Sequence, residues 1–355
     1  MVGRPFLGRV EPGPSLGLFD RLAPPPPHDL IVSRIEAHSA PGDVVLDLHG
    51  RGGWVARAAI DRQRRAVTIE SSPLSRLLAE VVLRPPDIRH LDAAFQAISA
   101  APRGETNLRL AVGERFATRC PTCGRQVIAD EFVWAVPSIP DTPPVPVRKH
   151  FRCPACRDRV GRGEQRHAPV DDADLERARD LPADDAVRSR IRERFPIVDG
   201  AAELLDDLLA LHTGRTIAGL AAILERIEGD LRAAPVEAVL RLGFLHALLP
   251  ASRLHTYPGR VATLRLGGGR VRLPAGEQWR ERNPWLAFEE GFRVVRGFVQ
   301  RLEAASPGPV QARYGEDVRA LLGGAATVTV RLGTASAYAA LAAEGAELAR
   351  LGEPS

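Results

Sequence analysis

Two short apolar runs flank a glycine-rich turn near the beginning of the chain. The first run, 44–46, stops at Asp47, and the second, 66–69, ends at Glu70. Between them, residues 49–53 read H-G-R-G-G and are followed by a helical pattern of apolar positions. This alternation predicts strand, turn, helix and strand, which is the first unit of a nucleotide-binding α/β sheet.

The polar residues of this unit favour a ligand without a pyrophosphate. The turn lacks the G-x-G-x-x-G spacing of dinucleotide sites, and a carboxylate at the first strand tip would repel phosphates. S-adenosylmethionine carries a sulfonium and an ammonium instead. Asp47 would lie near its methionine end, the backbone of 50–53 beneath it, and Glu70 on its ribose. The pattern alone leaves open a plain βαβ unit whose glycines only turn the chain.

The four cysteines form two C-P-x-C pairs. The pairs are separated by about thirty residues that alternate like a β-hairpin, and their members are Cys120, Cys123, Cys153 and Cys156. Two such turns can bring four thiolates to one tetrahedral Zn²⁺. The spacing predicts a zinc ribbon and disfavours both a redox pair and four unrelated buried cysteines.

The remaining chain is mostly helical by its apolar periodicity. Expected helices cover 30–39, 73–83, 90–98, 201–212, 216–231, 235–249 and 335–351, with a charged segment at 171–200, a hairpin at 261–273, a helix opening at Asn283-Pro284-Trp285 and a returning strand at 327–331. We therefore expect four segments. These are a Pro-rich leader with the cofactor half (1–100), the zinc ribbon (101–170), a mainly helical insertion for target recognition (171–325) and a returning strand and helix (326–355).

Composition and charge bear on two further questions, which are the kind of binding partner and the cellular compartment. The formal net charge is +4, and Lys149 is the only lysine among 48 basic residues. Residues 115 to 166 include ten basic and five acidic residues. This surplus of positive charge suits contact with DNA phosphates, and it suits equally well a solvent-exposed surface of a zinc ribbon that has only a structural role. The sequence has no signal peptide and no long apolar run, which predicts a cytoplasmic protein without a membrane segment.

The segments VVLDLHGRGGW, TIESSPLSRLLAE and RFATRCPTCGRQVIADEFVWA, taken with the later VTVRLGTASAYAAL, resemble the bacterial adenine-specific DNA methylases that carry an inserted zinc ribbon. The resemblance implies a Rossmann-like methyltransferase sheet that binds S-adenosylmethionine. Its cofactor residues would be Asp47, His49, Gly50, Gly52, Glu70 and Thr334. The motif departs from the D-P-F-x-G-x-G pattern of the family at Leu48-His49, and Ser72 replaces the family's asparagine.

The catalytic loop of that family, [DNS]-P-P-[YFW], does not occur in the sequence, so no catalytic residue is assigned. The resemblance implies an exocyclic amino-group DNA methyltransferase, adenine N6 before cytosine N4, as a fragment or split subunit. A second chain or a missing C-terminal part would supply the loop on a strand beside the first one. The alternative is a non-catalytic zinc-ribbon DNA-binding protein with a relic methyltransferase fold.

Overall fold

The computed structural model describes residues 15–21, 24–137, 142–156, 165–179, 182–195, 201–305, 312–334 and 343. The expected C-terminal helix at 335–351 and most of the leader lie outside these residues. The chain divides into two compact units, one comprising Met1–Ala93, Arg232–Leu242 and Arg293–Ser355, the other Ala94–Leu231 and Gly243–Phe292.

The described chain contains both helices and strands. The helices are α1 His28–His38, α2 Trp54–Asp61, α3 Pro73–Leu83, α4 Ile88–Ser99, α5 Leu108–Glu114, α6 Asp172–Arg177, α7 Pro182–Arg194, α8 Ala202–Leu209, α9 Gly214–Gly229, α10 Ala234–Leu248, α11 Pro284–Ala304 and α12 Val318–Leu322. The strands are β1 Val44–Gly50, β2 Arg65–Glu70, β3 Pro102–Arg103, β4 Thr106–Asn107, β5 Ala117–Arg119, β6 Gln126–Ala135, β7 Val145–Phe151, β8 Arg166–Pro169, β9 Arg265–Gly267, β10 Arg270–Arg272, β11 Gln278–Arg282 and β12 Val328–Leu332.

The first unit contains a three-stranded parallel sheet in the order β1-β2-β12. The central strand β2 is buried along nearly its whole length, as its apolar run predicts. Helices α1, α2 and α3 contribute buried side chains to the same core as the sheet, and alanines of α2 allow a close approach. The predicted strands at 44–47, 66–70 and 327–331 and their parallel arrangement are confirmed.

Strand β1 lies at the edge of this sheet among the described residues, since it pairs only with β2. Val44 and Leu46 are 38% and 42% exposed. An apolar run of this kind is typical of a strand with neighbours on both sides. Among the described residues, no strand pairs with its other side.

The second unit contains an antiparallel sheet in the order β11-β6-β7-β8, with β5 paired to β6. The hairpin β6-β7 is the arm predicted between the two cysteine pairs. The outer strand β11 comes from the segment expected to be a helical insertion, so the ribbon and that segment share one sheet. The expected hairpin within 261–273 is also present, as β9-β10.

No single helix of the described chain is long and apolar enough to cross a membrane. Helices α8 and α9 reach the required length and composition only as a pair, which is bent by 100°.

Candidate metal centre and ligand-binding edge

The two cysteine pairs meet at one point in the second unit. The Sγ atoms of Cys120 and Cys156 are 3.9 Å apart, and those of Cys123 and Cys153 are 3.6 Å apart. All four sulfur atoms lie within 4.8 Å of one another, and three of the four cysteines are buried. The structure therefore brings together all four predicted metal ligands.

Tight turns at the ends of β5 and β7 aim these thiols. In the first turn the Gly124 amide donates to the Cys120 carbonyl, 2.9 Å away, and Gly124 adopts a positive φ of 70°. In the second, the Cys156 amide donates to the Cys153 carbonyl over 3.2 Å. Because hairpin β6-β7 joins the turns, residues thirty positions apart converge.

The donor set fits zinc. Zn–S bonds of about 2.3 Å in a tetrahedron place neighbouring sulfurs about 3.8 Å apart, close to the two measured separations. Burial raises the pKa of the Cys120 thiol, but amide donors from Cys123 and Thr122 outweigh it and lower the pKa to about 6. Burial and the neighbouring cysteines raise the pKa of Cys156 to about 12, so a bound cation would be needed to hold all four sulfurs as thiolates. Four thiolates would complete the coordination shell and leave no open position, which is the chemistry of a structural site.

The carboxyl ends of β1, β2 and β12 bring together the residues predicted to bind the cofactor. Gly50 is paired with Glu70 in the β1-β2 register, and the amide of Gly333, next to Thr334, donates to the Glu70 carbonyl over 2.9 Å. Side chains at such an edge face the crevice in which ligands bind open α/β sheets. His49 and Thr334 are exposed there.

Glu70 holds the glycine turn closed. Its fully buried carboxylate accepts hydrogen bonds from the amides of Gly52 and Gly53, both at 3.0 Å, and from the Thr68 hydroxyl at 3.2 Å. The sequence predicted that this side chain contacts ribose. In the structure its oxygens accept hydrogen bonds from backbone amides at the beginning of α2, where the helix dipole favours negative charge. The ribose contact stays a prediction.

Glycine is required in this turn for two reasons. Gly52 and Gly53 have positive φ values of 91° and 76°, a conformation that side-chain-bearing residues rarely adopt. At Gly50, a Cβ would collide with the side chains of Thr68 and Glu70. Glycines at these positions therefore allow the turn to fold closely around the Glu70 carboxylate, which in turn accepts hydrogen bonds from its amides.

Asp47 differs from Glu70 in its surroundings. Burial raises the pKa of its carboxyl, although the His49 amide, the His49 side chain and the Thr68 hydroxyl counteract it. The hydrogen bond from the His49 amide is 3.2 Å long. The Asp47 carboxylate is thus half-buried, and no cationic side chain of the described residues is bonded to it, a feature that is common in functional sites.

Asn283 is a helix cap. It is buried, its Oδ1 accepts from the Trp285 amide at 3.0 Å, and its amide nitrogen is 3.4 Å from the Ala129 carbonyl. These contacts cap the N-terminus of α11, which begins here as the sequence predicted. The Asn-Pro-Trp segment therefore has a structural role and is not a catalytic loop.

Sequence reasoning missed a set of buried charges in the second unit. Glu281, on β11, is fully buried and accepts from Arg215 Nε at 2.8 Å and Trp134 Nε1 at 2.6 Å. Lys149 is also buried and donates to Asp171 and Asp174 at 2.8 and 2.7 Å. The partners are far apart in the sequence, so only the alternation of β11 could have indicated that Glu281 faces inward.

Protein-family models, curated proteins and solved structures were each compared with this chain, and none of the three comparisons finds a match.

Proposed function

We propose that this chain is the cofactor-binding and zinc-carrying part of an S-adenosylmethionine-dependent DNA methyltransferase that acts on an exocyclic amino group, adenine N6 before cytosine N4. The observation that carries the proposal is the parallel sheet β1-β2-β12, whose carboxyl ends gather Asp47, the glycine turn and Glu70. The resemblance to zinc-ribbon adenine methylases implies a sheet in which the third, second and first strands lie side by side, and β12, β2 and β1 have this order.

Each polar group at this edge has a role that suits the cofactor. Asp47 would attract the ammonium or sulfonium, since a half-buried carboxylate without a bonded cation gains most from a cationic ligand. Glu70 would bind the ribose hydroxyls after releasing Gly52 or Gly53. When bound, the cofactor supplies the methyl group, and the protein orients it and keeps water away.

Zinc would have a structural role in this protein. Its four-thiolate shell would tie the β6-β7 hairpin to β5, and the arginine-rich face of that ribbon would contact DNA phosphates. A closed shell activates no water, so the metal takes no part in methyl transfer.

The target amino group would be positioned by a partner. A second chain, or a further segment, would carry the D-P-P-Y loop on a strand that pairs with β1. The exposed Val44 and Leu46 support this proposal, because an apolar open strand edge is a template for strand addition.

Calorimetric titration with S-adenosylmethionine tests the proposal. We expect one site per chain, with affinity about tenfold weaker in Asp47→Asn, a change of about 1.4 kcal/mol. Asp43→Asn is the matched control, since Asp43 precedes the opposite end of β1, is exposed and accepts from the Ala40 amide. No heat of binding for the folded, zinc-loaded chain would contradict the proposal.

One observation favours a second candidate, a zinc-ribbon DNA-binding protein with a relic methyltransferase fold. The oxygens of Glu70 already have three protein donors, so the turn is stable without ligand. Tight, salt-dependent DNA binding together with no affinity for S-adenosylmethionine would favour this candidate over the first.

A further inference from the structure

The second unit contains a solvent-open cavity of about 660 Å³ that has no part in either candidate site described above. Strands β6, β7 and β11, helices α6 and α7 and the loops after α8 and α10 contribute to its wall. Prolines and other apolar side chains form most of that wall, including Pro143, Pro144, Pro146, Val145 and Leu175. The volume lies within the range of small-molecule sites.

The charged residues of the wall have one sign. Arg179, Arg188 and Arg253 line the cavity, and none of the described residues of its wall is an aspartate or a glutamate. Arg188 is engaged, with an ion pair to Asp185 at 3.1 Å and a contact to the His212 carbonyl at 3.3 Å. A cavity with this lining attracts an anion.

Arg253 is the residue that points most directly to a ligand. Its Nε is buried without a hydrogen-bond acceptor, and no carboxylate pairs with its guanidinium among the described residues. Burial lowers the pKa of this side chain. The guanidinium is half-buried, and its buried Nε–H without an acceptor is costly in a folded protein. An oxyanion in the cavity would remove that cost through paired N–H donors.

Two further groups on the wall define the rest of the ligand. Trp279 is 5% exposed and its Nε1–H has no acceptor within the described chain. His212 Nδ1 lies 3.1 Å from the Ala251 carbonyl and must donate to it, so Nε2 of the neutral ring remains an acceptor. Burial lowers the pKa of His212 to about 4, so the ring is neutral at pH 7.

We propose that this cavity binds a nucleotide, as a nucleoside monophosphate or as a phosphorylated end of a DNA strand. Arg253 would bind the phosphate, and the proline-rich wall would cover the planar base. The Trp279 N–H would donate to a base or sugar oxygen, and His212 Nε2 would accept from an amino or hydroxyl group. The planar fork of arginine matches phosphate geometry with two parallel hydrogen bonds. This inference stands whether or not the first unit binds S-adenosylmethionine.

Titration calorimetry with AMP, adenosine and inorganic phosphate tests the proposal. We expect AMP to bind at least about tenfold more tightly than either fragment, because only AMP supplies both the anion and the planar body. Arg253→Met should weaken AMP binding at least about tenfold, and Trp279→Phe should weaken it to a smaller extent. Equal affinities for AMP and phosphate would overturn the proposal, as would unchanged AMP affinity in Arg253→Met.

Two controls separate this site from other sites on the chain. Arg265→Met removes an exposed arginine of β9 that does not line the cavity, and Asp47→Asn alters the edge proposed for S-adenosylmethionine. Both should leave AMP affinity unchanged, and a tenfold loss in either would place AMP elsewhere and overturn the proposal. A 5′-phosphorylated oligonucleotide that displaces AMP would identify a strand end as the source of the nucleotide. Failure to displace AMP would identify the free mononucleotide.

Discussion

The cysteine cluster and the glycine turn each bring together polar groups from distant positions in the chain. In the turn these groups form hydrogen bonds with one another, whereas in the cluster the thiols lie at separations that suit a metal. The carboxylate of Glu70 has donors at Gly52, Gly53 and Thr68. The four thiols have mainly one another, at separations that suit a metal. Four thiols that converge at these separations indicate a metal site, whereas a carboxylate with its own protein donors indicates a turn that is stable without a ligand. The two regions differ in how far geometry alone identifies their function.

The largest effect should come from removing the metal. Cys153→Ser leaves three thiolates, and we expect it to lower zinc content well below one equivalent and to destabilise the second unit by several kcal/mol. The scale follows from structural zinc sites in peptides, which bind with about 10–16 kcal/mol. Elemental analysis and thermal unfolding measure both quantities.

Thr122→Ala is the matched control for this prediction. Thr122 lies in the first cysteine turn and is exposed, and its side chain makes a long contact with Arg166. The substitution keeps the backbone amide that donates to the Cys120 thiol. It should retain one zinc and a nearly unchanged unfolding temperature. If Cys153→Ser retained a full equivalent of zinc with unchanged stability, the cluster would not be a metal centre.

The next effect concerns the closed turn. Glu70→Ala removes the acceptor of two buried amides, and we expect the free energy of unfolding of the first unit to fall by about 2–5 kcal/mol, since hydrogen bonds to charged groups contribute about 1.5–3 kcal/mol each. Glu70→Gln keeps one carbonyl oxygen and should lose less. Urea denaturation followed by circular dichroism measures the difference.

Glu70→Ala also tests the predicted ribose contact. We expect S-adenosylmethionine affinity to fall by about 1–3 kcal/mol through lost hydrogen bonds, measured at temperatures where the variant is folded. Equal affinity in wild type and variant would show that Glu70 serves only the turn.

The smallest change in the free energy of unfolding should come from substitution of Asp47. Its sign is opposite to that of Glu70→Ala, because removing the Asp47 charge should stabilise the fold. The raised pKa of Asp47 means that the protonated form is favoured in the folded state. This contribution to stability is complete below the ordinary aspartate pKa and is lost as the pH rises through the raised value. Asp47→Asn keeps the acceptor for the His49 amide and should stabilise the fold at pH 7 by up to about 1 kcal/mol.

This gain should disappear as the pH is lowered to the ordinary aspartate pKa of 3.8, because the raised pKa of wild-type Asp47 means that it is protonated in the folded state before that pH is reached. Unfolding curves of both proteins across this pH range measure it. A variant less stable than wild type at pH 7 would show that the Asp47 carboxylate is compensated within the fold. It would then have no feature that favours a cationic ligand.

Sequence patterns predicted the elements whose signals are local. The apolar run of β2, the glycines of the turn and the two C-P-x-C pairs each lie within a few residues, and the structure places them as predicted. Strand β11 was missed because its sequence, Q-W-R-E-R, resembles a charged surface segment. Its burial depends on Arg215, which lies 66 positions earlier in the chain.

The contact of Glu70 was beyond sequence reasoning for a related reason. A terminal acid on the second strand indicates a place at the sheet edge, but whether its oxygens face a ligand or the turn depends on side-chain orientation. The cavity around Arg253 and Trp279 left no signal either, since its wall comes from seven elements and loops spread over more than a hundred residues.

The most direct test of the central claim is amide hydrogen exchange of the zinc-loaded chain with and without S-adenosylmethionine. If the cofactor binds at the carboxyl edge of the parallel sheet, peptides that cover 47–54 and the residues after β12 should exchange more slowly with ligand. Peptides from the zinc ribbon should exchange at unchanged rates. Identical exchange across 47–54 in saturating S-adenosylmethionine would contradict the assignment of this edge as the cofactor site.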